Sequence, residues 1–436
     1  MTRTMYAQDL LDTLREEHGV PGATLAVLVD GEIHEFASGV LHTGTGVEAT
    51  TDSVFQLGSV AKIYTATLVM SLVEEGLLDL DARVVDVLPD FRVADPEATS
   101  RITVRQLLSH TSGLSGDFQP DTGRGDDCIE RYLEACVKLG QDVPPGSTVS
   151  YSGAGYVVLG RIVEVLTGTT WNQALADRVL TPLGLAHTVT LPEEVLRFRA
   201  AIGHFGGAPA PVWDLMPRAA GPAAAVCASA GDVVRLAKAH LDNAVLKPET
   251  VALMQERQVD VPDKWTVNAD GWGLGWTLYD FVGTPGIGHD GAATGQYSYL
   301  RVLPEQGIAI ALLTNGGGAR PLSSAILREL LGRFGVEMPP PFAPPAEPFE
   351  VDMAPFNGVY RREGVVITIN GRKARYEFVD DMAIYPSMDM ELVPVSRNVF
   401  AATGAGSSFQ DDFMPVVFDN GYCYIGMRAA PKVCPK

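Results

Sequence analysis

A chain of 436 residues, 46% hydrophobic and 20% charged, has the composition of folded domains, two or three by a prior of roughly 100–200 residues each, and not of a disordered polymer. Its net charge of -20 repels nucleic acid and anionic lipid surfaces, so neither is an expected partner. No stretch approaches the roughly 18 uninterrupted apolar residues of a membrane span, and the opening "MTRTMYAQDLLDTLREEHGV" lacks an apolar run ahead of a small-residue cleavage site, so a cytoplasmic protein is expected.

In chain order, "AQDLLDTLREEHGV" has helical spacing, and "ATLAVLVDGEIHEFASGV" reads as a hairpin turned at Asp30-Gly31. Mostly helical sequence follows: "AKIYTATLVMSLVEEG", "ITVRQLLSH", "YVVLGRIVEVLTG" and "SAGDVVRLAKAHL", the last with Ser229 and Asp232 at the spacing of a capping box. A second hairpin, "YSYLRVLPEQGIAIALLTN", precedes a helix expected from Pro321 to Phe334. Strands at both ends with helices between them predict one antiparallel sheet that joins the two ends, with a helical subdomain over it. Six prolines between Met338 and Phe349 then forbid a helix interior or a central strand and mark a linker. Beyond it, residues 350–436 read as short β segments, with "GVVITINGRKARYEFV" as a hairpin turned at Asn370-Gly371. The expected division is a catalytic unit over 1–337, the linker over 338–349 and a small barrel-like all-β unit over 350–436.

Five cysteines, Cys128, Cys136, Cys227, Cys423 and Cys434, show no CxxC spacing, so neither a zinc site nor a disulfide framework is indicated. Reduced buried thiols are expected, with a Cys423 to Cys434 bridge as the one alternative. "GIGHDG" fits G-x-G-x-x-G but leads into strand-like alternation where a dinucleotide site needs a helix. "GRGDD" reads as a solvated loop. There is no G-x-S-x-G and no H-E-x-x-H, and no metal or organic cofactor is expected.

The chemistry centres on "FQLGSVAKIYTATLVM". Ser59 and Lys62 stand three apart, and so on one side of a helix, behind Gly58 and at the mouth of a segment expected to be an amphipathic helix. A serine hydroxyl needs a base, and a desolvated lysine can be one. Composition alone yields an S-x-x-K about once or twice in such a chain, so its weight comes from two further elements. Tyr151 lies in a turn-rich approach to an apolar helix expected to start near Tyr156, where a phenol can relay a proton. His289-Asp290-Gly291 opens a strand whose edge N–H groups can face an acyl group. His110 reads as a structural hydrogen bonder and His204 as a loop residue, both outside the site. Trp272 and Trp276 read as core or cleft wall.

These three elements, with "ITVRQLLSHTSGL", "YVVLGRIVEVLTG" and "LTPLGLAHT" between them in order, resemble the serine β-lactamase, D-alanyl-D-alanine peptidase and esterase family over most of residues 6–335. The resemblance implies an α/β (α+β) β-lactamase/transpeptidase-like fold: an antiparallel sheet flanked by helices with a helical subdomain. It implies Ser59 as nucleophile, Lys62 as its activator, Tyr151 as general base and later acid, and His289 as an electrostatic and hydrogen-bonding anchor. It further implies an oxyanion hole from the backbone N–H groups of Ser59 and Ala292, and substrate contacts at Gly153, Asp290 and Gly291. The second motif here is Tyr151-Ser152-Gly153, with glycine where the family usually places an asparagine that donates to the acyl amide. Efficient β-lactamase action is therefore not expected, while an esterase, a looser amidase or an acyl transferase is less affected. The linker and β unit resemble the lipocalin-like domain of penicillin-binding-protein-type thioesterases that cyclise nonribosomal peptides.

The expected activity is an acyl-enzyme hydrolase acting on an ester or peptide-type amide, its substrate a small molecule or peptide, free or carrier-bound. Two other readings stay open: transfer or cyclisation of the acyl group, and a non-catalytic acyl sensor. The sequence does not give the oligomeric state.

Overall fold

A computed structural model describes residues 6–116, 118–214, 216–347, 349–383, 386–403 and 413–433. Helix α1 (Ala7–Glu17) is followed by β1 (Gly22–Val29), buried along its length, and β2 (Glu32–His42). Asp30 and Gly31 join the strands at φ 52° and 81°, the two-residue turn whose twist matches that of the strands. After β3 (Val47–Glu48) come the helices α2 (Ala61–Glu74), α3 (Val104–Leu108), α4 (Gly153–Thr167) and α5 (Ala230–Leu241). The chain then returns to the sheet through β4 (Val259–Asp260), β5 (Gly271–Trp272), β6 (Thr277–Phe281), β7 (Thr284–Ala293), β8 (Gln296–Leu303) and β9 (Ile308–Thr314), and ends this unit with α6 (Ala319–Arg333).

The strand order is β3-β2-β1-β9-β8-β7-β6-β5-β4. The first and last long strands therefore pair, Ala23 opposite Thr314, as the placement of apolar runs at both ends of the region requires. One face of the sheet is covered by α1 and α6, with Leu11, Leu25, Ile310, Leu312, Ile326 and Leu330 in one apolar cluster. The other face carries the helical subdomain, whose cluster is built around α2, α4 and α5.

Helix α2 differs from the amphipathic helix expected of it. Every residue from Ala61 to Met70 is buried, Lys62 included, because the helix runs between the sheet and the other helices and has no solvent face. Its hydroxyls turn inward onto backbone: Thr67 Oγ1 donates to the Ile63 carbonyl at 2.8 Å and Thr65 Oγ1 to that of Pro222 at 2.7 Å. Helix α4 begins at Gly153, three residues before the expected start, because the Ser152 side chain accepts the Gly155 N–H as its cap. At α5 only half of the expected capping box forms. Ser229 accepts the Asp232 N–H, while the Asp232 carboxylate binds the His187 N–H, Thr188 and Arg235 instead.

Among its described residues the linker has neither helix nor strand, and its start is held by Arg328 on the carbonyls of Met338 and Pro339. Strands β10 (Gly358–Arg362), β11 (Val365–Asn370), β12 (Lys373–Phe378), β13 (Met388–Pro394), β14 (Val399–Thr403), β15 (Met414–Asp419), β16 (Tyr422–Ile425) and β17 (Arg428–Pro431) follow in meander order. A bridge from Tyr360 to Lys432 and the Val433 N–H on the Val359 carbonyl bring the edges together into a nearly closed barrel. The β11–β12 turn falls one residue later than expected. Asn370 still pairs with Lys373, and Gly371 at φ 55° is the first turn residue, the place where a glycine is demanded. The barrel packs on the catalytic unit through a cluster of Val143 with Val399, Val417, Tyr424 and Ala429, and through Thr148 to the Tyr424 hydroxyl at 2.8 Å.

Cys128, Cys136, Cys227 and Cys423 are free and buried. Cys434, the far end of the bridge considered for Cys423, lies outside the described residues. Among the described residues, no helix is long and apolar enough to cross a membrane.

Candidate active site

Ser59 sits in a single 3-10 turn, Gly58–Val60, at the mouth of α2. Gly58 has φ 51°, and a side chain there would strike the Ala292 backbone, its carbonyl oxygen at 2.4 Å. Across this contact a Cβ on Gly291 would lie 2.0 Å from the Leu57 carbonyl oxygen. Glycine on both sides thus lets the turn press against β7, backbone to backbone. The last pair of β7 with β6 is Gly288 opposite Thr277, so residues 289–293 present an unpaired edge to that turn. The N–H groups of Ser59 and Ala292 stand on its two sides, the arrangement an oxyanion hole needs.

Lys62 is 2% exposed. Its Nζ lies 3.2 Å from Ser59 Oγ, donates to the Ala223 carbonyl at 2.8 Å and stands 4.8 Å from the centre of the Tyr151 ring. Burial, and then the Arg428 guanidinium, push its ammonium down to about 7. At neutral pH a large share of Lys62 is the free amine, with a lone pair available to the Ser59 proton.

Tyr151 is set differently. Burial raises its phenol far above the ordinary value, and the Ser59 hydroxyl and Arg428 draw it only partly back. No well-formed hydrogen bond reaches the phenolic oxygen among the described residues. A phenol this hard to ionise is a poor proton acceptor in the resting site, where the general-base part expected of Tyr151 falls more easily to Lys62.

His289 is buried, and its Nδ1 lies 2.6 Å from the Asp290 carbonyl oxygen. Burial, and then Lys62, hold it down at about 3, so the ring is neutral, donates from Nδ1, and turns an acceptor Nε2 that has no partner among the described residues. A neutral ring of this kind can offer a hydrogen bond but no charge, against the electrostatic part of the anchoring expected of it. Asp290 does not reach the site with its side chain. It pairs with Tyr299 across the strands, on the face opposite His289 and Leu300, and its carboxylate is engaged by the buried Arg301. Gly291 contributes close backbone approach and Gly153 open space. A Cβ on Gly153 would meet nothing nearer than the Gly116 carbonyl oxygen at 3.7 Å, and the apolar crevice beside it is lined by Phe118, Ala154, Val157 and Ala223.

Met427 and Arg428 carry no signal in the sequence, while His110 is the structural hydrogen bonder expected of it but stands beside Tyr151 and not outside the site. His110, at φ 57°, packs beside the Tyr151 ring at a 38° tilt with centroids 4.4 Å apart, and its Nδ1 accepts the Ser152 N–H at 3.1 Å. It fixes the tyrosine segment, and only its place in "LLSHTSGL" signals it. Met427 and Arg428, from the barrel, complete the wall: Met427 clusters with Tyr151, Val261 and Trp272, and the Arg428 guanidinium lies 5.7 Å from the Tyr151 ring centre. Trp272 stands edge-on to both His110 and His289, while Trp276 packs on His240 in the core. His204 lies outside the cluster, spanning the Thr43 N–H and the Asn315 carbonyl. No group of three or more His, Cys, Asp or Glu side chains is arranged to hold a metal among the described residues.

Because the Arg428 cation helps hold Lys62 down, Arg428→Leu should move the acid limb of kcat/KM to higher pH. The displacement should stay under about one pH unit, since burial is the larger cause. A pH profile on an activated ester checks this, and an unmoved limb would remove Arg428 from the electrostatics of the site.

A family model described as Beta-lactamase matches residues 7–332. Among curated proteins, the chain is 58% identical over 370 residues to "Penicillin-binding protein 4" of Amycolatopsis lactamdurans, covering 82% of this chain and 97% of that protein. It is 30% identical over 371 residues to "Esterase EstB" of Burkholderia gladioli, covering 73% and 92%. Among solved structures, that of SurE superposes with a TM-score of 0.80 at 27% identity over 99% of both chains, and a second crystal of SurE, with D-Leu, gives 0.79.

Proposed function

The chain belongs to the beta-lactamase family, and from that premise we propose that it is a serine hydrolase that forms an acyl-enzyme on Ser59 and cleaves an ester or a peptide-type amide. The observation that carries this is the buried Lys62 Nζ, held 3.2 Å from Ser59 Oγ and pushed down to about 7. As Ser59 Oγ bonds to the substrate carbonyl carbon, its proton passes to the Lys62 amine, and the carbonyl oxygen takes the charge against the N–H groups of Ser59 and Ala292. The proton then leaves through Tyr151 to the departing alcohol or amine. Water attacks the ester so formed, its proton passing to the Lys62 amine and from there to the departing Ser59 oxygen, which restores both the free amine and the serine hydroxyl. His289 Nε2 accepts a hydrogen bond from substrate, and the crevice at Gly153 and Ala223 takes a small apolar group of the acyl residue.

Without a side-chain amide at position 153, a β-lactam's acylamide has no donor there, so slow acylation by penicillins is expected beside fast turnover of a simple ester. Rate constants for both on one preparation test this. Penicillin turnover as fast as ester turnover would contradict the part given to Gly153.

A second reading hands the acyl group to an amine or alcohol, as in release or cyclisation of a carrier-bound peptide. The likeness to SurE along both units of the chain, one SurE crystal holding D-Leu, favours a D-residue in the substrate under either reading. A peptidyl thioester with a D-residue at the scissile position separates the two: hydrolysis yields the free acid, cyclisation a macrolactam.

A further inference from the structure

The barrel reaches the catalytic cluster through one hairpin. Ile425 pairs with Arg428, so Gly426 and Met427 form a two-residue turn, both at φ 63°. That conformation is ordinary for glycine and uncommon for methionine, and such outliers persist where surrounding contacts over-determine them. Here both backbone groups of Met427 are engaged by the catalytic unit. Its N–H donates to Asp263 Oδ2 at 3.0 Å, and its carbonyl accepts the Tyr151 N–H at 3.0 Å. A second bond repeats the clasp two residues on from Met427 and one residue before Tyr151, the Ala429 N–H donating to Ser150 Oγ at 3.2 Å. Asp263 is fully buried and also accepts the Thr266 hydroxyl at 2.6 Å. Burial pushes the Asp263 carboxyl up to about 7, with Thr266, the Met427 N–H and Arg320 drawing it partly back, and beyond Thr266 its hydrogen bonds go to this turn.

We propose that Asp263 is a positioning residue: through the Met427 peptide it locks the last hairpin of the barrel onto Tyr151, so that the barrel completes and dries the active site. The inference rests on the acyl-enzyme reading above. Its consequence concerns Lys62, whose neighbours are Arg428 from the hairpin, His110, His289, Tyr151 and Tyr156. Loosening the hairpin removes the guanidinium and admits water, and both changes favour the charged ammonium.

Full-length wild type, Asp263→Ala and Asp263→Asn are compared with an activated ester, with rates expressed per active site titrated by the acylation burst. Asp263→Ala should lower kcat on the order of 10²-fold with a much smaller change in KM. The acid limb of kcat/KM should move upward by on the order of one pH unit. Asp263→Asn, which keeps an acceptor for the Met427 N–H, should recover most of the rate and the limb. A purely structural Asp263 would lower the number of titratable sites and leave limb and kcat per site where they are, which overturns the proposal. Should the alanine variant not fold, Ser150→Ala carries the test: a smaller displacement in the same direction supports the clasp and an unmoved limb overturns it. Absence of any burst in the wild type would instead overturn the acyl-enzyme reading, and this inference with it.

Discussion

Ser59→Ala is expected to abolish covalent labelling by an active-site phosphonate and to lower turnover of an activated ester by about four orders of magnitude or more, the scale on which single members of a catalytic unit act. The large effect follows from geometry. The methyl group of alanine leaves Lys62 Nζ with the Ala223 carbonyl and nothing to deprotonate. The oxyanion hole proposed at Ser59 and Ala292 would still polarise a carbonyl, so a small residual rate over water is expected. Folding should be unaffected, since Ser59 is only half-buried and Lys62 keeps its backbone partner. Persistent labelling of the variant would sink the assignment of the nucleophile.

Lys62→Met should lower kcat/KM on the order of 10²–10⁴-fold and raise the melting temperature. The opposite signs have one cause. An unfolded lysine titrates near 10.4, while the folded one is pushed down to about 7. Between those values the unfolded chain holds a proton that the folded chain has lost, so this group's contribution to stability rises with pH across that window. At pH 7 nearly all of its penalty is present, on the order of a few kcal/mol, and methionine removes it while filling the same space. Lys62→Arg, which cannot lose its proton, should lose both activity and stability. In the wild type kcat/KM should rise with pH through about 7. Thermal melts and a pH profile decide: a Met variant that is less stable and still active would place Lys62 among structural residues.

Local chemistry was readable from the sequence where it depended on near neighbours. The turn at Asp30-Gly31 was marked by residues that accept positive φ, and Ser59 and Lys62 were brought together by helical spacing alone. The burial of α2 on all sides was not readable, since an apolar segment with one lysine looks amphipathic until the layers on both sides of it are known. Asp290 was misjudged for a related reason: strand alternation sends its carboxylate through the sheet to Arg301, away from His289. Asp263, Met427 and Arg428 carry no local motif at all. Met427 and Arg428 meet Tyr151, and Asp263 meets Met427, only because a barrel hairpin about 270 residues beyond Tyr151 folds back onto the catalytic unit, and a long-range contact of this kind leaves no periodicity to read.

Intact-mass measurement on a quenched time course with an activated ester, followed by mapping of the labelled peptide, tests the central claim most directly. A single acyl increment on Ser59 that appears before product and clears to the free acid is the expected result. Turnover with no adduct on Ser59, or an increment on another residue, would contradict an acyl-enzyme built on the Ser59–Lys62 pair.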